Sequence, residues 1–123
     1  MIEKEFVPYQ EAFELKKLGF NEECFWWYGF EKYLRKDRIG TSTNYSYFLE
    51  NKSCSAPLYS QAFRWFRDNH GLYNQIHKGY GWEGIIRNSV NGDIEWNDGT
   101  YNSPEEAELA CLKKLIEIVK NNE

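Results

Sequence analysis

Two histidines and three cysteines are the residues best suited to acid–base, nucleophilic or metal chemistry, and their spacing assembles none of it. Neither His70 nor His77 has a cysteine or carboxylate at metal-ligand spacing. His70 falls in the last turn of an expected helix, where a cation-capable ring meets the negative end of the helix dipole, so a structural role accounts for it. His77 falls in an expected strand, as a satisfied or exposed residue. Cys24, Cys54 and Cys111 are odd in number, widely spaced and free of any paired motif. That pattern reads as reduced, mostly buried thiols in a cytoplasm. A cysteine–histidine pair would have to be built in space, and no local context supports one.

The carboxylates offer no catalytic pair. Glu22-Glu23 fall in a turn, and Glu105, Glu106 and Glu108 open a helix, where the dipole favours acids. Gly79-Tyr80-Gly81-Trp82-Glu83-Gly84 has the look of a phosphate loop, but no capped helix and no lysine–serine ending follow it. The most suggestive constellation is Trp26, Trp27, Tyr28, Phe30, Lys32, Tyr33, Arg35, Lys36 and Arg38. Bases interleaved with aromatic rings can track a phosphate backbone while the rings stack on bases. A buried strand running into a solvated charged loop explains the same residues, and acidic ends of the chain oppose binding to a polyanion. Neither a catalytic residue, a metal ligand nor a cofactor site emerges, and the chain is read as a non-enzyme without cofactor.

Over the whole chain, aromatic residues make up 18% of the 123 residues, with 5 Trp, 9 Tyr and 8 Phe. Large rings bury roughly 150–250 Å² each, more than one core of this size needs, so some belong to a surface or interface. The net charge is −4, unevenly spread: residues 1–23 carry −3, residues 24–90 carry +4 and residues 91–123 carry −5. Mean hydropathy is −0.75 and the longest apolar run is Cys24–Tyr28, far from the roughly 20 residues of a membrane helix. The acidic start Met1-Ile2-Glu3-Lys4-Glu5 lacks the features of a signal peptide. The sequons at Asn44 and Asn51 carry no weight in a cytoplasmic protein.

The elements that would position these residues follow from spacing. Helix one is expected over Pro8–Leu18, stopped by Gly19 with Phe20 folding back. Cys24–Phe30 reads as a strand buried on both faces or with one face on a partner. Glu31–Arg38 extends it as an edge or forms a loop. Gly40–Thr43 is a turn, and Asn44–Leu49 a returning strand. Helix two is expected to be capped at Ser55, with Pro57 in its first turn and His70-Gly71 closing it. Leu72–Tyr101 reads as an antiparallel meander with bends or close approaches at Gly79, Gly81 and Gly84. Asn91-Gly92 predicts a two-residue hairpin pairing Val90 with Asp93, Ser89 with Ile94 and Arg87 with Trp96. One face would then show Ile85, Arg87, Ser89, Ile94 and Trp96, and Asp98-Gly99 marks another turn. Ser103-Pro104-Glu105-Glu106 is a capping box that opens helix three. Leu109, Leu112, Ile116 and Val119 form its stripe, flanked by Cys111, Leu115 and Ile118. The expected class is a single α+β domain: one antiparallel sheet of four to five strands with three helices against it.

Three stretches carry a resemblance: Lys17-Leu18-Gly19-Phe20-Asn21, Ser55 through Arg67, and Tyr101 through Leu112. They resemble a group of small proteins of Bacteroides-type gut bacteria and their phages or prophages. The resemblance implies a cytoplasmic, mobile-element origin and supplies no activity. Gly99 through Ala107 is similar to the strand-to-helix junction of plant AP2-type DNA-binding domains, which insert a three-stranded sheet into the major groove. The matching strands carry Arg87 and Lys78, but also Glu83, Asp93 and Glu95, which would face phosphates badly. Generic capping after a meander accounts for that match.

The expectation is a cytoplasmic binding protein, homo-oligomeric, with protein partners open and no membrane partner. The alternatives are nucleic-acid binding through the basic middle, or capture of a nucleotide-like ligand in an aromatic pocket. The candidate binding residues are Trp26, Trp27, Lys32, Arg35, Lys36, Arg38, Trp82, Arg87 and Trp96.

Overall fold

The structure, a computed structural model, describes residues 2–29, 34–36 and 53–122. Among the described residues the chain forms an α+β arrangement of three α-helices and two three-stranded antiparallel sheets. It divides into two compact units, Met1–Gln61 and Ala62–Glu123. The predicted turn at Gly40–Thr43 and strand at Asn44–Leu49 lie outside the described residues.

In the first unit a short 3-10 turn, Ile2–Glu5, leads to helix α1, Tyr9–Lys17. Pro8 occupies the cap rather than the first helical position, with extended φ and ψ of −60° and 157°. Gly19 ends the helix as predicted. Its φ of 104° lets the Gly19 N–H reach the Lys16 carbonyl (3.1 Å) and the Phe20 N–H reach the Leu15 carbonyl (3.0 Å). This reciprocal pattern turns the chain sharply and buries Phe20. Strand β1 is Trp26–Tyr28, shorter than the predicted Cys24–Phe30, and it is the central strand of its sheet. Strand β2, Leu34–Lys36, pairs on one side of it and β3, Cys54–Ala56, on the other. Both edges of β1 are thereby taken, and the described strands form two three-stranded sheets instead of the expected one of four to five strands.

The β3 pairing also corrects the start of the second helix. Ser55 is a buried strand residue opposite Trp27, not a cap, and helix α2 runs Tyr59–His70. Local sequence could not reveal this, because Ser55-Ala56-Pro57 mimics a helix start while long-range pairing consumes its backbone. The N-terminal segment is tied down by Val7 N–H to the Pro57 carbonyl (2.9 Å) and by the Tyr28 hydroxyl donating to the Val7 carbonyl (2.7 Å). Helix α1 packs on β3, and Lys16 Nζ donates to the Ser53 carbonyl at 2.8 Å.

Helix α2 begins in the first unit and continues into the second, where Ala62, Trp65 and Phe66 are buried. Gly71, with φ of 65°, closes it and releases the chain into the predicted meander. The strands are β4 (Leu72–Lys78), β5 (Trp82–Asn88) and β6 (Ile94–Tyr101), in the order β4-β5-β6. Helix α3, Pro104–Asn121, then packs across all three strands. Its start is the expected capping box: Ser103 Oγ accepts from the Glu106 N–H (3.1 Å), and Glu106 Oε2 accepts from the Asn102 N–H (2.9 Å). Ala107, Cys111, Leu112, Leu115, Ile116 and Val119 are buried, whereas Leu109 and Ile118 border the stripe half-buried.

The β5–β6 hairpin departs from its predicted register. Asn88 N–H bonds the Asp93 carbonyl (2.8 Å) and Gly92 N–H bonds the Asn88 carbonyl (2.8 Å), so Ser89–Gly92 is a four-residue loop rather than a two-residue turn. Asn88 and Asn91 side chains accept from the Val90 and Asp93 N–H groups, and Gly92 takes the left-handed conformation with φ of 76°. Ser89 instead bonds the Gly71 carbonyl through its N–H (2.8 Å). Arg87 therefore pairs with Ile94 and Ile86 with Trp96, with a bulge between. Asp98-Gly99 is no turn but lies inside β6, where Asp98 Oδ1 accepts from the Thr100 N–H and hydroxyl.

Candidate functional site

The predicted binding residues do not converge. Trp26 and Trp27 lie in the first unit, while Trp82, Arg87 and Trp96 lie in the second. Lys32 and Arg38 fall outside the described residues. In the β1–β2 register Trp27 stands opposite Arg35 and Trp26 opposite Lys36. The Trp26 ring stacks on Phe6, with centroids 4.9 Å apart. Trp82 is half-buried with Lys78 Nζ 5.6 Å above its ring.

Strand alternation sorts the meander into two faces. Gly84 and Ile86 are buried toward α3, and a Cβ on Gly84 would lie 2.7 Å from Cys111 Sγ and 3.2 Å from Trp96 Cζ3. Trp96 thus belongs to the helix-covered side. Glu83, Ile85 and Arg87 point the other way. The expected single face of Ile85, Arg87, Ser89, Ile94 and Trp96 is therefore split: Trp96 is on the far side, and Ser89 lies beyond the strand.

Among the described residues the side turned away from α3 is uncovered, and it gathers residues from all three strands by register. Tyr73 lies beside Arg87, Gln75 beside Ile85 and His77 beside Glu83 on β4; Ile94 lies beside Arg87 and Asn97 beside Ile85 on β6. Arg87 Nε donates to Gln75 Oε1 at 2.8 Å and Arg87 Nη1 to the Gly92 carbonyl at 2.8 Å. Asn97 Nδ2 donates to Glu83 Oε2 at 3.1 Å. Gln75, His77, Ile94 and Asn97 are exposed; Tyr73, Glu83, Ile85 and Arg87 are half-buried. Of these, Arg87 alone was a sequence candidate. Those on β4 and β5 could have been found by extending both strands from the Gly79–Gly81 turn, where the Gly79 N–H bonds the Gly81 carbonyl at 2.9 Å, whereas Ile94 and Asn97 depend on the β5–β6 register.

The potential nucleophiles are withdrawn from solvent. Burial pushes the thiols of Cys24, Cys54 and Cys111 up to about 12. Hydrogen bonds with Ser55 and Gln61 act weakly in the opposite sense at Cys24. The Cys24 thiol faces Gln61 Oε1 at 3.6 Å, and Gln61 Nε2 donates to the Glu23 carbonyl at 2.8 Å, so this cluster ties a loop to the start of α2. His70, the last residue of α2, lies with its ring 5.0 Å from that of Trp65. With Leu72, Val119 and Asn122 it lines a cavity of about 370 Å³. Among the described residues no group of three His, Cys, Asp or Glu side chains could hold a metal ion, and no helix is long and apolar enough to cross a membrane.

Comparison with protein-family models, with curated proteins and with solved structures finds no match to this chain.

Proposed function

We propose that this protein is a non-enzymatic interaction protein whose contact surface is the β4–β5–β6 face turned away from α3. An antiparallel sheet with one face in water is ordinary. This face differs in that its long polar side chains are held in place: Arg87 is fixed by Gln75 and Glu83 by Asn97, with Ile85 between the two pairs and Ile94 beside Arg87. That is the observation that carries the reading. Side chains ordered before contact lose less entropy on binding, and apolar groups among satisfied polar ones match the make-up of protein interfaces. The buried, protonated thiols leave no activated nucleophile among the cysteines, which supports binding over chemistry. Three free thiols suit a reducing cytoplasm, and the resemblance to phage and prophage proteins supports a mobile-element setting.

The two alternatives find less support. For nucleic acid, Trp26 already stacks on Phe6. For a nucleotide-like ligand, one face of Trp82 is already approached by Lys78.

Hydroxyl-radical footprinting tests the proposal by comparing dilute purified protein with a concentrated lysate of cells that overproduce it to the level at which weak contacts form. Tyr73, Ile85 and Ile94 should be protected in the lysate relative to Tyr80 and Val90, the exposed side chains of the hairpin loops. Equal oxidation of both sets in both samples would refute it.

A further inference from the structure

On the reading that the uncovered meander face is a contact surface, we infer that its occupant is a second copy of this chain, held by reciprocal Glu83–Arg87 pairs. The uncovered side of central strand β5 reads Glu83, Ile85, Arg87: an acid, an apolar centre and a base at equal spacing. Consider a twofold axis opposite Ile85, lying between two facing sheets and perpendicular to their strands. It runs the two β5 strands antiparallel and sets Glu83 of each copy against Arg87 of the other, while Ile85 meets Ile85. The same operation brings Gln75 to Gln75 and Asn97 to Asn97, since both lie level with Ile85. Amides carry donor and acceptor together, so each can pair with itself. Tyr73, level with Arg87, meets His77, level with Glu83. The other face-to-face twofold, along the strands, would set Arg87 against Arg87 and is rejected by charge. Isologous contact requires such a self-complementary patch.

The size of the face sets the strength. Three strands about 4.8 Å apart and seven residues rising about 3.3 Å each give a face well below the roughly 800 Å² per partner of a standard interface. The association is therefore weak and is sought at concentrations approaching about 1 mM.

Sedimentation velocity on the full chain, over concentrations up to about 1 mM, tests it. The wild type should show a monomer–dimer equilibrium weakened by salt. Glu83→Arg or Arg87→Glu alone sets like charges together and should weaken the dimer at least about tenfold. The double reversal should restore it. Mixing the two single variants should give a heterodimer, because one copy then presents two cations and the other two anions. Circular dichroism checks that each variant folds. Asn97→Lys, at an exposed position, sets two cations together and reads the same interface should a reversal fail to fold. A wild type that stays monomeric, or a dimer indifferent to the reversals, would overturn the inference. Lysate protection of the face together with a monomeric pure chain would leave the interaction reading standing and refute self-association alone.

Discussion

Gly84 and Cys111 are in such close contact that a single methyl group at Gly84 would sit 2.7 Å from Cys111 Sγ. The Ala107 carbonyl, 3.3 Å from the same point, blocks escape along the helix backbone. Gly84→Ala should therefore destabilise the fold by about 1–3 kcal/mol through overpacking. Adding Cys111→Ala removes the sulfur, so the double variant should lose less stability than the two single losses added together. Urea unfolding of all four proteins checks this, and strict additivity would refute a direct clash between the two positions.

Helix α3 supplies a broad apolar stripe, with Leu112 and Leu115 fully buried. Truncating either to alanine should cost about 2–5 kcal/mol, the loss of transfer energy plus a cavity. A thermal melt indistinguishable from wild type for either variant would contradict the packing.

The thiols set an alkaline limit. Cys24, Cys54 and Cys111 ionise near 12 when folded and near the ordinary value of 9.0 when unfolded. The unfolded chain therefore releases protons first as pH rises. Stability should be intact below about pH 9 and fall between pH 9 and 12, by up to about 1.4 kcal/mol per pH unit for each thiol. Below that range, at pH 8, native protein should resist thiol labelling while urea-unfolded protein reacts with all three. Native labelling at pH 8 as fast as that of the unfolded chain would show that burial does not protect them.

A gel shift with single-stranded oligonucleotides near physiological salt should show no sub-micromolar complex, given the net charge of −4. Were a complex seen, neutralising Arg35 and Lys36 should weaken it for every sequence and reduce the salt slope by about one unit for each phosphate left without a cation.

Elements set by nearest neighbours are legible in the amino-acid sequence alone. Ser103-Pro104-Glu105-Glu106 starts α3 because a hydroxyl, a fixed φ and a carboxylate satisfy the first turn locally. Gly19 and Gly71 stop α1 and α2 because left-handed backbone favours glycine. These three signals need only a few adjacent residues, and tertiary packing leaves them in place.

What only the tertiary structure decided were pairings between distant segments. Ser55 carries every local mark of a helix cap, yet β1 recruits it into a sheet where its backbone bonds are made across the fold. Ser89 could have continued the β5–β6 ladder, but the Gly71 carbonyl claims its N–H; the loop widens and Trp96 pairs with Ile86 rather than Arg87. A one-residue slip of this kind moves a side chain to the opposite face. The candidate surface followed the same rule: residue types gave Arg87 and strand alternation puts Glu83 on its face, but Ile94 and Asn97 across the β5–β6 pairing were fixed only by register, because cross-strand distance depends on the pairing and not on sequence separation.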